Sequence, residues 1–171
     1  MRRILLASAI GVGLVGISPG AASAANAGDN HAAYVWVVGA VPTGSSDTAK
    51  APDGSTVTLM GSGMLQAGPG HSATGGGTYS MSSGSSGSWT VTGMLGFVSY
   101  GSGSAQGLPP NFFGGEATLR VLLSNGASGV LTITCALGSP PAGHMEGVTL
   151  ILGQGGEFTK ADGGNTVFIK Q

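Results

Sequence analysis

Residues 132 to 147, TITCALGSPPAGHMEG, hold the single cysteine of the chain, one of its three histidines and a glutamate two positions after it. A histidine next to a carboxylate is the usual material of acid–base catalysis. His144 and Glu146 are spaced i, i+2, which places them on one face if the strand begins early enough. They follow Pro140-Pro141-Ala142-Gly143, a loop at a strand mouth, and loops on a rigid scaffold are where function concentrates. The same two residues read equally well as solvated loop positions. A metal needs a third and a fourth ligand. His71 lies in a distant Gly/Ser segment and His31 in the N-terminal stretch, so no metal site and no cofactor is expected.

Three further residues carry chemistry. Glu116 and Arg120 share a face of one strand, four positions and about 13 Å apart at the rise of extended chain, too far to pair directly. Tyr100 falls on the mixed face of another strand. A pocket that gathers Glu116, Arg120, Tyr100 and His144 would make the protein a small-substrate enzyme, an isomerase, cyclase or hydrolase. Cys135 is different. It shares the apolar row Leu131, Ile133, Leu137, with no cation or helix N-terminus nearby to lower its pKa, so it reads as a core thiol. In LPPNFFGG (108–115), Pro109-Pro110 stiffens a loop that presents Phe112 and Phe113. These rings either plug the end of a barrel or form an exposed contact patch, and with Met94 they are the ligand-contact candidates.

The elements that must position these residues are strands. Apolar alternation rich in Val, Ile, Thr and aromatics recurs over Ala33–Val41, Ser55–Leu65, Gly77–Met81, Ser88–Tyr100, Glu116–Ser124, Gly129–Leu137, Glu146–Leu152 and Thr166–Lys170, and no window shows a helical period. Turn clusters separate them: VPTGSSDTAKAPDG, SNGAS, GSPPAG and KADGGN. Aspartates 29, 47, 53 and 162 fall in such stretches and read as local backbone caps. About eight strands with short connections predict an all-β fold in a single antiparallel sheet, a closed or nearly closed β-barrel, with a β-sandwich as the alternative. Glycines inside strands (Gly39, Gly61, Gly63, Gly93, Gly96) suit the bends and bulges of sheet closure. Between Gly70 and Ser88, 13 of 19 residues are Gly or Ser, which reads as a long mobile loop with one weak strand around Tyr79.

Period two sorts the side chains. Ala117, Leu119, Val121 and Leu123 form a dry face, backed by Glu116, Thr118, Arg120 and Leu122. Trp89, Val91, Leu95 and Phe97 oppose Thr90, Thr92, Met94, Val98 and Tyr100. The mixed face either lines a ligand cavity inside the barrel or is a threonine-rich exterior.

The N-terminus reads as a cleaved secretory leader over residues 1–24. Arg2 and Arg3 precede an apolar run from Ile4 to Ile17, shorter than a bilayer span, and Ala22-Ser23-Ala24 supplies the small residues of a cleavage site, with Ala27 as second choice. Residues 25–32 then read as a flexible N-terminus and 33–171 as one β-domain. Loss of the leader takes the formal charge from −1 to −3 (−1 less 2), leaving Lys50, Arg120, Lys160 and Lys170 as the cations. So few cations argue against nucleic acid and against an anionic membrane surface. Charged residues make up 8% of the chain, so solubility rests on hydroxyls and amides. One cysteine allows no internal disulfide, and no catalytic GxSxG, HExxH or phosphate-loop motif is present.

These features leave three functional readings. The first is a secreted, non-catalytic β-barrel that binds a neutral or apolar small molecule, or a surface glycan, near the 108–115 and 139–146 loops. The second is the barrel-pocket enzyme. The third is an envelope or matrix protein whose glycine-rich surface serves packing.

Overall fold

A computed structural model describes residues 29–39 and 46–171, apart from the side chain of Asn30. The leader and most of the flexible N-terminus read from the sequence lie outside the described residues. Among the described residues there are eleven strands and two short 3-10 turns, and no α-helix. The strands are β1 (Ala33–Val38), β2 (Asp47–Lys50), β3 (Thr56–Gln66), β4 (Ser72–Met81), β5 (Ser86–Ser102), β6 (Phe112–Leu123), β7 (Ser128–Cys135), β8 (Gly147–Leu152), β9 (Glu157–Phe158), β10 (Lys160–Ala161) and β11 (Thr166–Lys170).

All pairings are antiparallel and belong to one sheet. From β3 the pairing runs through β4, β5, β6, β11 and β1 and returns to β3. Strands β2 and β10 extend from β3, while β7, β8 and β9 extend from β6, and the two extensions meet where β2 lies against β8.

The strand expected around Tyr79 is present and longer than expected, and the rest of the segment 70–88 is not a mobile loop. The segment is strand β4, the turn at 82–85 and the start of β5, with β4 paired to β3 along its whole length. Its Gly75 and the glycines of the paired β3 answer to packing: a Cβ on Gly75 would sit 2.8 Å from Cζ2 of Trp36. Trp36 and Trp89 stack in the interior at a 5.7 Å ring separation. A Cβ on Gly61 would sit 2.6 Å from Cζ2 of Trp89, and one on Gly63 would sit 2.5 Å from Cζ2 of Trp36. A strand of bare backbone is what lets the wall press onto both indoles. Composition alone cannot tell such a wall from a linker, because both are written in Gly and Ser.

Strand β2 and strand β10 lie inside stretches read as turns, VPTGSSDTAKAPDG and KADGGN. They are two to four residues long and too short to show a period. The described part of the N-terminus, Asp29–His31, is a 3-10 turn tied to the other end of the chain rather than frayed. The Asp29 carboxylate takes a 2.7 Å bond from Lys170 Nζ, its carbonyl accepts from Tyr34 Oη at 2.9 Å, and Gln171 N donates to Ala33 O.

The dry face expected for β6 and β7 is the inner one. Ala117, Leu119, Leu131, Ile133 and Cys135 are fully buried, and the lone thiol is free, its pKa pushed up to about 12 chiefly by burial. The mixed face points outward. Aromatic rings occupy the interior: Tyr34 packs on Phe97 at 4.9 Å and on Phe113 at 5.7 Å, and Phe97 on Phe168 at 5.1 Å.

Strand β5 breaks the simple alternation. Register shifts at Val91/Gly93, Met94/Gly96 and Ser99/Gly101 each insert an extra residue, so Met94 turns inward against the core and Leu95, expected inside, is exposed. A bulge of this kind reverses the facing of everything after it.

Overpacking the tryptophan pair tests this arrangement. Gly61→Ala is expected to lower the urea-unfolding free energy by about 2 kcal/mol. Leu122→Ala on the outer face should stay within about 0.5 kcal/mol of the parent.

Candidate functional site

The third bulge of β5 decides where Tyr100 points. Ser99 pairs with Gly115 and Gly101 with Gly114, leaving Tyr100 unpaired between them, where its hydroxyl reaches the outer side of β6. There it meets Glu116. The loop after β7 brings His144 back over the same spot, its backbone N–H bonded to Pro141 O at 3.2 Å. The three side chains converge: Tyr100 Oη lies 2.8 Å from His144 Nδ1 and 3.5 Å from Glu116 Oε2, and Nδ1 lies 3.1 Å from that same carboxylate oxygen. The tyrosine and histidine rings meet edge to face at 5.7 Å.

Burial, and then the Glu116 charge, push the Tyr100 hydroxyl up to about 12, so the phenol keeps its proton at physiological pH and acts as a donor. Where Nδ1 of His144 carries no proton the phenol donates to it; where Nδ1 carries one, in the neutral or the charged ring, Nδ1–H donates to Glu116. Among the described residues Nε2 of His144 has no protein partner, so a ligand can use it.

Beside this cluster the outer face of β6, β7 and β8 is a ladder of hydroxyls. Glu116 is in register with Thr134, and Thr118 with Thr132, which is in turn in register with Thr149. Of these, Glu116, Thr132, Thr134 and Thr149 line a groove of about 310 Å³ together with Thr159, Lys160, Met145 and His144. Gly147, at φ 124°, supports it from below, since a Cβ there would press to 3.2 Å from that of Ala161 and hold β10 off β8.

The residues singled out from the sequence divide. Glu116, Tyr100 and His144 come together. Arg120 does not join them; it lies four positions along β6 in a separate groove. Glu146 does not pair with His144. Its Oε2 accepts from Ala136 N at 2.5 Å and its Oε1 from Thr166 N at 2.8 Å, with Thr166 Oγ1 2.6 Å away, so it ties the 136–146 loop to β11. Phe113 is buried in the core and Phe112 half-buried at the start of β6, so neither presents a contact patch, and Met94 packs inward.

The groove threonines and Lys160 were not singled out from the sequence. The signal was present in part, as the TxT of β7 and the lone Thr149 of β8, but period two cannot say which strands become neighbours. Among the described residues no cluster of three or more His, Cys, Asp or Glu could hold a metal. Comparison with protein-family models, with curated proteins and with solved structures found no match to this chain.

Asp47 supports the site from behind. The sequence suggests a local backbone cap in a turn, yet the residue is fully buried in β2, with Oδ1 accepting from Asn165 N at 2.5 Å and Oδ2 unpartnered among the described residues. Its pKa is pushed up to about 6, mainly by burial and further by the Glu146 charge, while the Asn165 bond opposes the rise. A folded-state pKa above the unfolded value gives stability that is full below about pH 3.9 and is lost as pH rises through about 6. Asp47→Asn keeps an acceptor for Asn165 N. Thermal denaturation should show it more stable than the parent by about 2 kcal/mol at pH 8 and little changed at pH 4.

Proposed function

We propose that the chain is an exported, closed β-barrel domain that binds a hydroxyl-rich ligand, a glycan, in the outer groove between the β6–β8 ladder and β10. The observation that carries the reading is the charge balance and donor set of that groove. It has one carboxylate (Glu116), one ammonium (Lys160), an imidazole and four threonine hydroxyls, with no net formal charge while His144 is neutral. Such a wall offers alternating donors and acceptors to sugar hydroxyls, and it has no excess charge to neutralise. An apolar ligand inside the barrel fits less well, because aromatic rings already occupy the interior. The returning path of strand pairs supports the barrel rather than the sandwich.

The Glu116–His144–Tyr100 cluster favours a second reading, an acid–base enzyme acting on the bound ligand. Against it, glycoside hydrolysis uses two carboxylates, and Glu116 is the one carboxylate among the described residues lining the groove. Binding without turnover is therefore the better account.

Thermal-shift titration of the secreted protein against neutral oligosaccharides tests the proposal. A ligand at 100 times its Kd adds about 2.7 kcal/mol, a rise of several degrees. His144→Ala and the double change Thr132→Val, Thr149→Val should remove that rise while the unliganded melting point stays within a few degrees. No rise with any oligosaccharide overturns the reading, and conversion of the ligand by the parent but not by His144→Ala replaces it with the enzyme. N-terminal sequencing of protein from the culture medium should begin at Ala25, or at Gly28 if the second cleavage position is used.

A further inference from the structure

We infer that the glycan bound by this protein is acidic, with a sugar carboxylate held by Arg120 in the second groove of the same outer face; this rests on the reading above and extends it. The groove measures about 550 Å³. Arg120 is in register with Val130, and Val130 with Ile151, so the groove continues the β6–β7–β8 face that carries the threonine ladder. Its centre lies four residues from Glu116 along β6, about 13 Å, so a single extended ligand can lie across both.

The chemistry of the two halves differs in one respect. Among the described residues Arg120 makes no ion pair, and none of the residues lining its groove is acidic. The nearest acid in the same register row is Glu157, partner of Ile151 and three strand spacings from Arg120, about 14 Å, too far to neutralise it. The first bulge of β5, between Val91 and Gly93, leaves Gly93 opposite Arg120. A Cβ there would lie in ordinary contact with Arg120 Cδ, at 3.9 Å, so the arginine stem runs over this position. A planar guanidinium presents a fork that matches a carboxylate.

Around it, Leu95 and Ile151 are 42% and 46% exposed and form an apolar shelf with Val130, suited to the C–H face of a sugar ring. Hydroxyls of Thr92 and Ser128 at the rim match the sugar hydroxyls better than they match a bare hydrocarbon chain.

The test compares one sugar backbone with and without charge. Isothermal titration of the full mature protein with oligogalacturonate should give binding about tenfold tighter than with the fully methyl-esterified oligomer, and added salt should erode the difference. Arg120→Gln should abolish the preference, and an unchanged melting temperature of the unliganded variant reports that it is folded. Arg120→Lys should retain part of the preference. Equal affinity for acid and ester, a preference that survives Arg120→Gln, or binding of dodecanoate in place of the uronate overturns this inference while leaving the neutral groove standing. Failure of both oligomers to bind overturns the glycan reading as well.

Discussion

The rest of the structure depends on how closely strands β3 and β4 approach the stacked indoles of Trp36 and Trp89. Two large rings on facing strands leave no room for side chains on the wall that covers them, and the chain meets this with glycines at 61, 63 and 75. Trp89 is anchored as well as packed, its indole N–H lying 3.1 Å from Thr78 O and 3.3 Å from Met60 O, backbone acceptors on the same glycine-bearing strands. A wall that close draws β1 and β5 toward each other from opposite sides of β3 and β4. That approach lets the strand pairing return on itself through β6 and β11. With the interior occupied by aromatic rings, the polar cluster and the groove beside it lie on the outside.

The outer face is shaped by irregularities rather than by regular strand. Three bulges in β5 decide which residues emerge. The first two exchange the facings of Met94 and Leu95, and the third frees Tyr100 to reach over β6. Glu146 then acts as an internal clamp whose acceptors hold Ala136 and Thr166 together, and this fixes the loop that carries His144. The buried carboxylate of Asp47 has a cost. Asp47 stands close enough to Glu146 for the second charge to oppose ionisation of the first, and the two acids sit beneath the strands that bound the threonine groove. The site thus rests on polar groups that are tied down by backbone donors, a rigid foundation for a surface of small hydroxyls.

Much of this was open to the sequence, and the failures have physical causes. Alternation identified β1, β3, β6, β7, β8 and β11 and placed Cys135 in the core, because a half-buried strand imposes a period of two that a short window can read. Of strand β4 the sequence shows only Gly77–Met81, because the glycines and serines before it carry no period, and β2, β9 and β10 escape it because two to four residues are too few to show one. Of the side chains able to do chemistry, Glu116, Tyr100 and His144 were recognised singly. Their meeting was not, since they belong to a strand, a bulge and a loop separated by up to 44 residues.

The sequence by itself determined the strand class, the inward row of apolar residues, the low charge and the absence of a disulfide, because each of these is written in residue types and in spacings within one strand. Only the tertiary structure decided that the mixed face looks outward, that Glu146 serves the backbone while His144 faces Glu116, and that Arg120 stands apart in its own groove. These outcomes depend on strand order, on register and on three single-residue bulges. Such features are settled by contacts between distant segments, to which a local pattern of residues carries no reference.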